Sequence, residues 1–130
     1  MTDAEIVNGL GKRLAGTTGL PEIVWPNRDG MPELPYVVFD FVPVSAFDET
    51  LTGGGTINRG YMVATVVGAL NSFQTSALAM SEAIKARFAY GLRITEGTAT
   101  ITITAPPRAL SGYRDGANWR APVRVDYDAI

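Results

Sequence analysis

Towards the end of the chain, apolar and polar residues alternate. Ala121, Val123, Val125, Tyr127 and Ala129 fall on one side of an extended segment, and Arg124, Asp126 and Asp128 fall on the other. Successive side chains of a strand point to opposite faces, so this pattern predicts a strand with one covered face. Thr98 to Thr104 repeats it, with Ala99, Ile101 and Ile103 facing one way and the four threonines facing the other. Two half-buried strands so close in sequence call for a sheet whose apolar face is covered by something else.

Two segments have the helical period needed to cover it. Thr2-Asp3-Ala4-Glu5 fits a capping box, in which Thr2 accepts from the Glu5 amide and Glu5 reaches back. Ile6, Val7, Leu10 and Leu14 then form an apolar stripe as far as Gly16, weakened by Gly9 and Gly11. The stronger helix follows Ser72 as N-cap, with Phe73, Ala77, Met80, Ile84 and Phe88 at helical spacing before Gly91. Gln74, Ser81, Glu82 and Lys85 supply its polar side.

Further strands are predicted at Tyr36 to Val42, apolar except for Asp40 and so covered on both faces, and at the β-branched run Tyr61 to Val67. Leu92 to Glu96 reads as a short strand before a turn at Gly97. Thr17 to Pro35 reads as turn-rich connection with Trp25 as a core plug, and Arg108 to Asn118 as a polar loop. The 130 residues suit a single domain. The expected fold class is α+β, a mainly antiparallel sheet of about five or six strands with two helices packed on one face.

Between the strands at Tyr36 and Tyr61 runs Ser45 to Gly60, a glycine-bearing connection too long for a tight hairpin. Unstructured loops of roughly 12–15 residues are uncommon in compact domains and usually carry function. It is read as a long flexible loop, a mobile tip on an antiparallel ribbon. Gly53-Gly54-Gly55 is a flexibility signal and not a phosphate cradle, because no Gly-Lys-Ser/Thr follows.

Candidate chemistry is thin. With no cysteine and no histidine, the chain lacks thiolate ligands, disulfides and the commonest general base. It has no Gly-x-Ser-x-Gly motif, and its two lysines, Lys12 and Lys85, fall on helices. Asp126 and Asp128 lie about 7 Å apart on one strand face, close enough for a cation or an acid and base pair, but they read as a solvated strand end. No catalytic residue, metal or cofactor is expected. Arg108, Arg114, Arg120 and Arg124 are offset by Asp115, Asp126 and Asp128, and the net charge is −2, so no nucleic-acid footprint emerges. No run has the roughly 18–20 apolar residues of a membrane span, and the N-terminus lacks the cationic start of a signal peptide, which reads as a cytosolic chain.

Charge is uneven along the sequence, with 4 basic and 8 acidic residues up to Gly60 and 7 basic and 5 acidic beyond it. That is either chance or one copy's acidic side meeting another's basic side, a head-to-tail contact that closes into a ring when the rotation permits.

In order and spacing, the pieces resemble the small tail-terminator-like proteins of tailed bacteriophages and prophage-derived particles. The matching segments are the first helix, Trp25-Pro26-Asn27, Pro35-Tyr36-Val37-Val38, Gly60-Tyr61-Met62-Val63, the Ser72 to Phe88 helix, Thr98 to Thr104, and Trp119 to Tyr127. The resemblance implies a structural virion protein in the tail, made in the host cytoplasm. It would form a ring, typically of six copies, that caps the tail tube and stops its polymerisation. Its partners would be itself, the tail tube protein and a head-completion protein. On that reading Phe47, Leu51 and Ile57 are the interface anchors, while Asp48, Glu49 and Arg59 set register. The alternatives are another neck or head-tail connector component, or a ligand- or peptide-binding module with an aromatic pocket of Trp25, Tyr36, Tyr61 and Trp119.

Overall fold

The computed structural model describes residues 2–26, 30, 32–48, 56–69 and 74–130. Helix α1 spans Asp3–Ala15, β1 Ile23–Val24, β2 Tyr36–Asp48, β3 Thr56–Ala69 and α2 Gln74–Arg87. Then come β4 Arg93–Glu96, β5 Ala99–Ile103, β6 Arg108–Ala109, β7 Tyr113–Asp115 and β8 Asn118–Ala129. The strands form one sheet in the order β1-β2-β3-β8-β5-β4, with β6 and β7 also pairing with β8. Every pairing is antiparallel except β1 with β2. The protein is α+β.

The alternation read from the sequence is the alternation seen. Ala99, Ile101 and Ile103 are fully buried, as are Val123, Val125 and Ala129, with Tyr127 at 1% exposure. The register sets Val37, Phe39 and Phe41 of β2 opposite Val66, Ala64 and Met62 of β3, and the latter two opposite Val123 and Val125 of β8. Ile6, Leu10 and Leu14 of α1, together with Ile84 of α2 and the adjoining Phe88, complete one core cluster with them. Val24, Tyr36 and Val67, joined by Val38, make a smaller cluster. The near-continuous apolar run at the start of β2 therefore does have cover on both sides.

Local chemistry explains how α1 sits so close. A Cβ on Gly9 would lie 2.7 Å from Ile101 Cδ1 and 3.2 Å from Glu96 Cβ, so glycine lets the helix backbone approach β4 and β5. Thr2 accepts from the Glu5 amide at 3.2 Å, as the capping box requires. Glu5 does not reach back. Its carboxylate instead accepts from the Thr98 N–H at 2.6 Å, the Thr98 hydroxyl at 3.0 Å and the Ala99 N–H at 3.1 Å, fastening α1 to the β4–β5 turn. Gly97 makes that turn with φ +57°.

Those hydrogen bonds from Thr98, first its backbone N–H, hold the Glu5 pKa below its ordinary 4.5. A carboxyl depressed in the folded state stabilises the fold above the unfolded value, and that stabilisation is lost as pH falls through the folded value. Glu5→Gln is therefore expected to lower the thermal midpoint at pH 7. The gap to the parent should close as the pH drops below 4.5, which a series of melts across pH would reveal.

Several expectations need correction. Thr17 to Pro35 contains the short parallel strand β1, and Arg108 to Asn118 contains β6 and β7, both paired with β8. These two- and three-residue strands are too short to show an alternation. Trp25 is not a core plug: it is 41% exposed, with its ring edge-on to Phe39 at 5.4 Å. Ser81 lies on the buried side of α2 at 3% exposure, its hydroxyl donating to the Ala77 carbonyl at 3.0 Å. Such a back-bond to the preceding turn lets a serine be buried without an orphaned donor. The proposed N-cap Ser72 and the stripe residue Phe73 lie outside the described residues.

Candidate assembly surface

The connection expected from Ser45 to Gly60 is shorter than it reads. Ser45, Ala46, Phe47 and Asp48 pair with Arg59, Asn58, Ile57 and Thr56, after a register shift between Pro43 and Ser45. Ladder hydrogen bonding thus claims both ends of what looked like loop, and only residues 49–55 between them lie outside the described residues. Strand β8 ends its pairing with β3 at Asn58, opposite Ala129. The last rungs of β2 and β3 therefore extend past the sheet as a two-stranded arm.

Of the sequence candidates, Phe47, Asp48 and Ile57 fall on this arm and Arg59 at its base. Phe47 and Ile57 are direct cross-strand partners, and the Arg59 guanidinium lies 5.0 Å from the Phe47 ring centre. Arg59 also makes a two-pronged bridge to Asp128, Nε to Oδ1 at 2.7 Å and Nη2 to Oδ2 at 3.0 Å. It therefore ties the arm to β8, stacking on an aromatic face while its fork engages a carboxylate. Asp48 pairs with Thr56 through the backbone; Glu49 and Leu51 lie outside the described residues. Sequence reading missed Val44, which the register shift leaves 62% exposed. A bulge of this kind has no side-chain signal beyond the adjacent Pro43.

At the base of the arm, the backbone crowds. A Cβ on Gly60 would sit 2.5 Å from the Val42 carbonyl oxygen and 2.8 Å from the Tyr127 hydroxyl, so only glycine fits. Burial raises the Tyr127 pKa to about 12, with Asp3 adding to it. A cleft of about 400 Å³ opens beside it, lined by Thr2, Asp3, Val44, Ala46, Asn58 and Tyr127 among others.

The acidic and basic residues of β8 have structural employment. Asp126 takes Arg124 Nε at 3.0 Å and Arg108 at 3.9 Å, and Asp115 takes Arg120 at 2.7 Å. Arg124 also lies 3.9 Å over the Tyr61 ring. Asp126 and Asp128 are thus bound to arginines. Among the described residues no group of three or more carboxylates could hold a metal ion. Lys12 with Glu96 and Arg59 with Asp128 join the acidic and basic halves of the sequence within one subunit. The aromatic pocket does not assemble. Tyr36 stands opposite Val67 and Tyr61 opposite Val42, about 20 Å apart along β2 by strand rise.

The Arg59–Asp128 bridge joins side chains that are 55% and 25% exposed, so screening limits it. A double-mutant cycle with Arg59→Ala and Asp128→Ala is expected to return a coupling of about 0.5–1 kcal/mol, read from urea unfolding.

A sequence model of the family described as phage tail terminator protein matches residues 5–127. No curated protein matches the chain. Among solved structures, a protein without a functional name shares 20% identity at TM-score 0.75, covering 98% of this chain and 92% of the other. A chain from the virion of a native gene transfer agent particle shares 15% identity at TM-score 0.67, covering 97% and 93%. At these identities the two structures show a shared fold.

Proposed function

The chain belongs to the phage tail terminator family, a structural family and not one of enzymes, and from that premise we propose that it forms a ring on the end of the tail tube. The ring stops tube polymerisation and offers its far side to a head-completion protein. The observation that carries this reading is the family match over residues 5–127, nearly the whole chain. The ring is of about six copies, as the resemblance to terminators implies, and its place is the virion tail after assembly in the host cytoplasm.

In this proposal both helices cover one face of the sheet and leave the other for neighbours. A terminator must dock on the tube with one side and present no second tube-like surface, so its two ends must differ. The arm supplies such a difference. Phe47 and Ile57 on it, with Leu51 beyond, are the apolar anchors, while Asp48 and Glu49 set register by charge. Arg59 is engaged within the subunit and holds the arm in position for docking.

The test is direct. Purified protein mixed with tail tubes should add one extra ring at one end of each tube in negative-stain images and arrest further growth when tube protein is supplied. Tubes that elongate at the same rate with and without it would refute the reading.

A further inference from the structure

Among the described residues the sheet ends in two different open edges. One is β4; the other is the outer side of β2, which β1 covers only at Val37 and Val38. The Val37 N–H donates to the Glu22 carbonyl, and the parallel pairing of Val24 with Val38 engages the Phe39 N–H, so the outward backbone groups of β2 beyond β1 are the Phe39 carbonyl and both groups of Phe41. Pro43, which has no N–H to offer, ends that row just before the register shift. On β4 the Leu92 carbonyl accepts from Ile103 on β5, which leaves Arg93 and Thr95 with outward backbone groups. Among the described residues each edge therefore keeps a short row of backbone donors and acceptors without a strand partner.

The two edges are compatible in direction. Four antiparallel steps, β2 to β3 to β8 to β5 to β4, leave β4 parallel to β2. In a head-to-tail array a neighbour's β2 then meets β4 in parallel, and the sheet's two faces stay on their own sides. Phe39 and Ile94 belong to the core side, so Asp40, Arg93 and Thr95, all exposed, share the opposite face. Among the described residues Arg93 is the one cation without a carboxylate, carbonyl or ring partner, and Asp40 has no partner either.

We propose that β4 of one copy adds in parallel to the Phe39 to Pro43 stretch of β2 on the next copy, setting Arg93 against Asp40. This rests on reading the chain as a ring-forming subunit. Two different edges meeting make a heterologous contact, which repeats around a ring and closes it. Pro43 and the register shift confine the pairing and keep the arm out of it, so the arm remains available to the tube. A strip this short gives a weak contact between two free subunits, and closure on a tube end is what accumulates it.

The absence of cysteine makes the test clean. Facing residues on paired strands lie within disulfide reach. Asp40→Cys and Arg93→Cys chains, mixed on tail tubes and oxidised, should cross-link into dimers, whereas either chain alone should not. A chain carrying both changes should give a ladder of multiples. Arg93→Asp should weaken occupancy of tube ends about tenfold or more, and adding Asp40→Arg to the same chain should restore it. If the parent protein occupies tube ends but the cysteine pair yields no cross-link and the charge swap no rescue, the edge contact is wrong and the terminator reading stands. If the parent neither occupies tube ends nor oligomerises, both fall.

Discussion

Phe39→Ala is expected to destabilise the fold by about 3–5 kcal/mol, a large part of the stability of a domain this size. Phe39 is fully buried where α1, the sheet and Trp25 meet. Its cross-strand partner is Ala64, too small to fill the space left behind. Packing restricts collapse further, because Ala64 is itself opposite the buried Val123 of β8. The cost is the lost transfer of an aromatic ring plus a cavity that the rigid sheet cannot close. Phe41→Ala is the comparison: that ring is only partly buried, stacked on Tyr127 at 5.8 Å, and should cost clearly less. Urea midpoints for the two variants decide the matter, and a loss below about 1 kcal/mol at Phe39 would mean the core is not organised around it.

Replacing residues 49–55 with Asn-Gly is expected to leave a folded subunit that no longer completes tails. Asp48 and Thr56 are already paired, and a two-residue Asn-Gly turn is the connection that closes a hairpin without splaying its strands. Shortening seven residues to two reduces loop-closure entropy, so stability should stay level or rise by about 1 kcal/mol. Function should respond in the opposite sense, because the change removes Glu49 and Leu51 while keeping Phe47 and Ile57. Thermal melts and tail morphology in a complementation assay give the two readings. Tails of normal length and attachment would show that the segment is dispensable.

The strands with long strict alternation were legible from residues alone, since Ala99 to Ile103 and Val123 to Ala129 bury the faces their pattern requires, with Ala121 partly buried at the start of the second. The α1 cap was legible in Thr2, but the partner of Glu5 was not, because Thr98 is distant in sequence and only the fold brings it near. Trp25 illustrates a similar limit. Its size suggests the core, yet it lies against Phe39 and beside Gly11, at a margin that composition does not reveal. At the candidate assembly surface, Phe47, Ile57 and Arg59 stand out in the sequence only as apolar and charged residues of a long connection, and the structure sets them beside one another. What escaped was pairing, because Ser45 to Asp48 and Thr56 to Arg59 contain serine and asparagine and follow a register shift between Pro43 and Ser45, which together blur the two-residue period. Arg93 and Asp40 stand out only once every other described cation is seen to have a partner.

Tail length in phage or particle preparations lacking this protein is the most direct measure of its role. Tubes without it should grow past their normal length and fail to join heads, and adding the purified protein during assembly should restore both. Tubes of normal length that join heads in its absence would contradict the terminator function.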